Sequence, residues 1–269
     1  MIEIGTISIG INPDLFDIGS LTIGWHGVMV VLAVAVGVAV PLWLAKGTNI
    51  DRSTVYAIAP WAILGGFIGA RLLHVLDSLD VYTDDPLSVI KFWDGGVSIF
   101  GAILGGTLAG VTGAKLKGIS AGRLADIVAP GLLLAQVVGR VGCTINGDAY
   151  GTATSLPWGV SYTHANAAAT TELAPYVGHP VPVYEIIWDL MIFALIWKLM
   201  GRLKPDGALF MIYLSLYSFG RFFLSFLRGG EEGVLGPLHQ AHIIAIVVFA
   251  ACVSLLIYRM RQPKPVTEP

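Results

Sequence analysis

The chain has 269 residues, 55% of them hydrophobic and only 13% charged, with a formal net charge of −2. A mean hydropathy of +0.75 is far above what a soluble globular surface carries. This composition excludes a soluble enzyme and offers no basic patch for nucleic acid, and it points to an all-α fold class: a polytopic membrane protein, read as a single integral membrane domain over residues 1–269.

Apolar runs of about 20 residues, the length that crosses a hydrocarbon core, fall at 21–45, 55–76, 97–114, 124–141, 183–200, 208–227 and 238–258. They predict seven transmembrane helices. Residues 1–20 contain no Lys or Arg and the first run is longer than a signal core, so the amino terminus is expected to remain in the mature protein. Five basic residues, Arg71, Lys91, Arg140, Arg221 and Arg228, fall on one side of this arrangement, and the other eleven of the 16 fall on the opposite side. The basic-rich side reads as cytoplasmic, which places the amino terminus outside and the carboxy terminus inside. Four arginines then stand at the outer ends of the second, fourth and sixth spans, against the topological bias. An anionic substrate at the outer leaflet is the simplest reason for them.

In the first span Trp25 sits at the height of an interfacial aromatic, with His26 just inside it. That histidine reads either as a packing residue or as a proton acceptor. The second span carries a small-residue ridge that includes Gly65 and Gly69, then Arg71 and His74 on one face. The aspartate-rich loop 77–94 reads as solvated. Gly101, Gly105, Ala109 and Gly113 recur at every fourth position of the third span and form a packing face. The fourth span runs from Asp126 and Pro130 through Gln136, a buried amide in want of a partner, to Arg140.

Residues Gly139 to Gly151 read Gly-Arg-Val-Gly-Cys-Thr-Ile-Asn-Gly-Asp-Ala-Tyr-Gly. An arginine near the end of a membrane helix calls for an anionic partner or a wet cavity. Asn146 and Asp148 carry polar groups that are wasted against lipid. Residues 142–182 form an outer-face loop or cap segment, polar and irregular, with room for a short helix at 165–171. Glu185 then lies about a turn inside the fifth span. Tyr213, Tyr217 and Arg221 follow at spacing four on one face of the sixth, a polar stripe that faces protein or water. Cys143 and Cys252 are expected on opposite sides of the membrane and suggest no disulfide, although a nearby arginine favours a thiolate at Cys143. No Walker loop, zinc-ligand spacing or Ser-His-Asp set is present, so neither a metal nor a cofactor is expected.

Folded as a bundle, the outer halves of four spans would bring His26, Arg71, Arg140 and Arg221 to similar depth, beside Asn146 and Asp148. Arginine binds phosphate bidentately, so a pair at this level reads as a site for a lipid phosphate.

The stretch Gly139–Gly151, with Asp126 and Ala129-Pro130 before it, resembles the signature of the prolipoprotein diacylglyceryl transferase family. Further matches follow in Gly69-Ala-Arg71 with His74, Trp93-Asp-Gly-Gly96 with Ser98, His179-Pro180 with Tyr184-Glu185, and Tyr213 through Tyr217 to Arg221-Phe222 and Arg228. The similarity covers roughly residues 20–260. It implies a multi-pass protein of a bacterial plasma membrane, where the diacylglyceryl group of phosphatidylglycerol passes to the thiol of the conserved cysteine in a prolipoprotein signal peptide and glycerol phosphate is released. By resemblance Arg140 binds phosphatidylglycerol and Arg221 is the second essential arginine. The candidate catalytic set is Arg140, Arg221 and His26, and the candidate lipid-binding set is Arg140, Asn146, Asp148, Gly151 and Arg71. This chain has Phe100, Cys143, Asp148, Ser225 and His26 where the family usually has His, Asn, Glu, Glu and Tyr. The departures fall on proton transfer, and the anion-binding residues are kept. A non-catalytic relative that binds anionic lipid or lipoprotein precursor is the alternative reading.

Overall fold

The computed structural model describes residues 6–19, 21–48, 50–91, 95–169, 177–230 and 233–262. Trp93 and Asp94 of the motif, residues 170–176 of the cap and Lys264 of the tail lie outside them. The protein is mostly helical. Among the described residues six helices are long and apolar enough to cross a membrane: α1 (Trp25–Leu44) with the 3₁₀ turn that follows it, α2 (Arg52–Asp77), α4 (Ile99–Leu116), α5 (Ala121–Asn146), α7 (Ala208–Ser225) and α8 (Gln240–Arg261). The short α3 (Leu79–Asp84) follows α2. The remaining expected span, the fifth in chain order, is also a helix, α6 (Val181–Leu199). Glu185, Asp189 and Lys198 put three charges in its 19 residues, a number that α2 and α5 spread over 26, and Glu185 and Asp189 are buried among protein rather than turned to lipid.

Short strands sit outside the helices. Strand β2 (Asp14–Ile18) forms an antiparallel hairpin with β3 (Leu21–Gly24), and the chain enters α1 from it. The first span was expected from residue 21. Leu21 to Gly24 are extended instead, because the β-branched pair Thr22-Ile23 joins the hairpin ladder before the helix opens. Strand β1 (Ile7–Ile9) pairs in parallel with β4 (Val160–Tyr162) of the cap, so two segments far apart in sequence form one sheet. A last hairpin, β5 (Gly233–Leu235) with β6 (Leu238–His239), precedes α8. The short helix expected at 165–171 falls partly outside the described residues.

The chain divides into two compact units, Met1–Val40 with Val128–Pro269, and Pro41–Ile127. In the second, α2 and α4 pack along their small-residue ridges. A Cβ built on Gly101 would collide with the Gly69 carbonyl, and one on Gly105 with the Gly65 carbonyl. Contact this close lets dispersion forces act between backbones, where lipid supplies no hydrophobic drive for association. In the first unit a core of Ala129, Leu133, Ile192, Ile196, Leu209 and Tyr213 joins α5, α6 and α7. Gln136 finds its partner here: the Tyr213 hydroxyl donates to its Oε1 at 3.2 Å.

Candidate functional site

The polar stretch Gly139 to Gly151 begins as helix. α5 continues through Arg140 and Cys143 to Asn146, so the first residues of the segment expected as a cap, 142–146, belong to the helix. Its glycines serve packing and termination. A Cβ on Gly142 would press on Met29 and on the His26 backbone, and its absence lets α1 lie directly against α5. Gly147, at φ 75°, closes the helix by donating its N–H to the Cys143 carbonyl at 2.9 Å.

This geometry places Arg140, Cys143 and Thr144 around the last turns of α5. The Arg140 Nε forms an ion pair with Glu185 Oε2. On the other carboxylate oxygen, Arg221 Nη1 donates to Glu185 Oε1 at 2.8 Å. One acid on α6 therefore holds arginines from α5 and α7, and all three side chains are largely removed from solvent: 20% exposed for Arg140, 16% for Arg221 and 6% for Glu185. Two cations and one anion leave one surplus positive charge so long as the neighbouring Asp189 carboxyl holds its proton. Asp189 lies one turn further along α6, buried. The anionic partner that Arg140 required is thus Glu185. In the sequence Glu185 stands out as an acid inside the fifth span and as part of a matching motif, but nothing there ties it to Arg140, because pairing between helices leaves no mark in the periodicity of either one.

A second group of side chains adjoins the first. Arg140 Nη1 lies 3.7 Å from Cys143 Sγ as donor to sulfur. Cys143 is clustered with His26 and Asp148, the ligand-type atoms of the three lying within 4.8 Å of one another. His26 Nδ1 stands 3.5 Å from Asp148 Oδ2. His26 and Asp148 thus neighbour Cys143, which in turn meets Arg140 and through it Glu185 and Arg221. Asn146 is the last residue of α5, half-buried, and Gly151 is buried where it makes an isolated β-bridge with Arg228. Tyr162 of β4 leans over this end of α5 and donates to the Thr144 carbonyl at 3.0 Å. Burial, reinforced by the Asp148 and Cys143 charges, pushes the Tyr162 phenol up to about 12. Trp158 donates to the Tyr184 hydroxyl at 2.8 Å, tying the cap to the start of α6.

Arg71 has a different environment, in the other compact unit. Its Nε donates to Val89, its Nη1 to Gly95 and Gly96, and its Nη2 to Ser88 and Lys91, all backbone carbonyls. A guanidinium has five N–H donors, and all five are engaged. Arg71 holds the backbone of Ser88, Val89, Lys91, Gly95 and Gly96 and has no donor left for a phosphate. Phe100 opens α4 in the same unit. Ser225, at the family's usual Glu position, turns its hydroxyl back to the Arg221 carbonyl at 2.8 Å and gives the arginines no second carboxylate.

Beside the charge cluster lies an apolar groove of about 250 Å³ between α6 and α7, with Tyr184, Trp188, Met191, Phe219, Phe223 and Leu224 in its walls. Tyr184 precedes Glu185, and Gly220, also in the wall, precedes Arg221, so the groove and the ion cluster share the same helical turns.

Comparison with known proteins identifies the family. Residues 13–258 match the family described as prolipoprotein diacylglyceryl transferase. The chain is 37% identical over 266 residues to the phosphatidylglycerol–prolipoprotein diacylglyceryl transferase of a Nostoc species, covering 96% of this chain and 93% of that one. It is 37% identical over 259 residues to the protein of the same name from Dehalococcoides mccartyi, covering 95% and 96%, and 31% identical to that of Staphylococcus aureus, covering 95% and 91%. With the match spanning nearly the whole chain, this protein belongs to the prolipoprotein diacylglyceryl transferase family.

Proposed function

We propose that this protein transfers the diacylglyceryl group of phosphatidylglycerol to the thiol of the conserved cysteine in a prolipoprotein signal peptide. The observation that carries the reading is the Arg140–Glu185–Arg221 cluster, three largely buried charges with one positive charge in surplus. A surplus cation held in a site of low dielectric attracts one phosphodiester, and the groove between α6 and α7 suits an acyl chain.

In the reaction the sulfur attacks the terminal glycerol carbon of the diacylglyceryl group. The new C–S bond forms as the C–O bond to phosphate breaks, and the electron pair departs on the phosphate oxygen of glycerol phosphate. Negative charge grows on that oxygen, and Arg140 and Arg221 stabilise it more in the transition state than in the bound lipid. Asn146, Asp148 and Gly151 shape the head-group site, and the cap residues after Gly151 admit the peptide. His26, paired with Asp148, receives the thiol proton, a role that the family's usual histidine would hold where this chain has Phe100. The whole is placed in a bacterial plasma membrane with seven spans, counting α6, the amino terminus outside and the carboxy terminus in the cytoplasm.

Purified protein incubated with phosphatidylglycerol and a signal-bearing peptide tests this directly. The peptide should gain the mass of one diacylglyceryl group, and the same peptide with its cysteine replaced by serine should not. A peptide of unchanged mass under conditions where a known family member modifies it would refute the reading.

A further inference from the structure

Three side chains of metal-ligand type, brought together from two helices and the loop after the second, meet at one point. His26 comes from α1, Cys143 from the last turn of α5 and Asp148 from the loop after it, and their ligand-type atoms lie within 4.8 Å of one another. No sequence spacing announces the set, because His26 lies far along the chain from the other two. We infer that His26, Cys143 and Asp148 form a three-ligand site for a zinc-class divalent cation, and that a cation bound there silences the transferase.

The donor chemistry fits. Imidazole nitrogen, thiolate sulfur and carboxylate oxygen are the three protein ligand types of zinc, and three such ligands with one open position is the arrangement of accessible zinc sites. Bond lengths of about 2.0–2.3 Å put tetrahedral donors about 3.3–3.8 Å apart. The 3.5 Å between His26 Nδ1 and Asp148 Oδ2 already lies in that interval, and the sulfur has to close in by no more than about an ångström.

Two further observations point to a ligand. His26 Nδ1 is shielded from solvent and makes no hydrogen bond, with the Asp148 carboxylate facing it at 3.5 Å, a polar atom short of the close partner that burial ordinarily demands. Charge balance also favours a dication: thiolate and carboxylate together cancel it, and Arg140 Nη1, already a donor to Cys143 Sγ at 3.7 Å, continues to donate to the metal-bound sulfur. The neutral loaded site therefore adds no net charge beside the Arg140–Glu185–Arg221 cluster.

The inhibitory consequence follows from the imidazole. A cation on Nδ1 fixes the single ring proton on Nε2, so neither nitrogen keeps a lone pair with which to take a proton from the peptide thiol. This consequence rests on the proposed transferase activity. The metal site itself does not.

The test uses the full-length protein purified in detergent and titrated with cobalt(II) as a spectroscopic stand-in for zinc. A near-ultraviolet sulfur-to-cobalt charge-transfer band with the visible bands of four-coordinate cobalt is expected. It should persist in Cys252→Ser, disappear in Cys143→Ser, and lose intensity or affinity in His26→Ala and Asp148→Asn, the last a mild change that keeps the shape of the loop. In the lipid-transfer assay, zinc at the cobalt-saturating concentration should lower the rate of the unaltered protein more than tenfold, and a chelator should restore it. Cys143→Ser, assayed with the same peptide, should lose no more than about a tenth as much of its own metal-free rate, which separates zinc on the protein from zinc on the peptide. No charge-transfer band, or a band that survives Cys143→Ser, would overturn the site. A protein that gives the band but transfers no lipid would refute the proposed activity and leave the metal site standing.

Discussion

Arg221 of α7 donates to Glu185 of α6 at 2.8 Å, and it does so on the carboxylate oxygen that Arg140 leaves free. An acid buried to this degree is costly unless it is fully paired, and removing one partner of such a pair costs on the order of 3–5 kcal/mol, because the remaining charge is stranded. Glu185→Gln leaves two guanidinium groups facing one another without their shared anion. We expect a lowered unfolding temperature in detergent and an at least tenfold loss of transfer. The effects of Glu185→Gln and Arg221→Lys should be strongly non-additive in a double-mutant cycle, since both act on one network. Additive losses would show that the pair is not coupled.

Arg140→Lys keeps the positive charge and removes the planar fork. A lysine cannot hold Glu185 and a phosphate oxygen with the same group geometry, so transfer should fall about 10²-fold while the protein still inserts and purifies normally. The measurement is turnover at saturating phosphatidylglycerol. A rate within a factor of two of the unaltered protein would mean that Arg140 anchors α5 and does nothing to the phosphate.

Much of the architecture was legible in the chain because membrane spans are written in simple apolar length. The site was legible only in part. Arg140 announced itself as a cation in need of an anion, but Glu185 could be matched to it only once α5 and α6 were packed. The cap was expected to start at residue 142, whereas in the folded chain α5 runs on to Asn146 and Gly147 ends it. Arg71 looked like a third anion-binding arginine, since a count of loop charges cannot see that carbonyls of the 88–96 segment take all five of its donors. Strand β1 was missed because three residues pairing in parallel with a distant partner carry no local signal.

Orientation is tested by labelling. With the two native cysteines changed to serine, a cysteine placed at Thr154 in the cap should react with an impermeant thiol reagent in intact cells, and one at Thr48, just after α1, should not. Labelling at Thr48 alone would invert the protein in the membrane, and with it the argument that the arginines lie on the disfavoured side.

Tyr162 gives a pH-dependent test of the cap. Its hydroxyl donates to the Thr144 carbonyl at 3.0 Å, and burial pushes the phenol up to about 12 from an ordinary value of 10.0. Tyr162→Phe should lower stability by about 1 kcal/mol at pH 7. The folded state favours the neutral phenol, so the contribution is fully present below pH 10 and declines as pH rises toward 12. The gap between the two proteins should therefore close over that interval, as read from unfolding temperatures. A constant gap would mean that Tyr162 is not neutral and buried in the way described.

The last prediction concerns the proton. A cysteine thiol has an ordinary pKa near 8.5, so a few per cent is already thiolate at neutral pH, whereas a positioned base typically contributes about 10²–10⁴ in rate. His26 lies 3.5 Å from Asp148 and is clustered with Cys143, which itself contacts Arg140, so a thiol brought to the phosphate site passes close to the imidazole. His26→Gln keeps a polar side chain of similar reach but cannot accept a proton at these pH values. In metal-free buffer the variant should lose about 10²-fold in turnover at pH 7, and should recover part of that loss as pH rises toward 8.5, because the peptide then supplies its own thiolate. Turnover equal to that of the unaltered protein at every pH would make His26 a packing residue. A loss that rising pH does not relieve would assign His26 to holding α1 against α5 rather than to the chemistry.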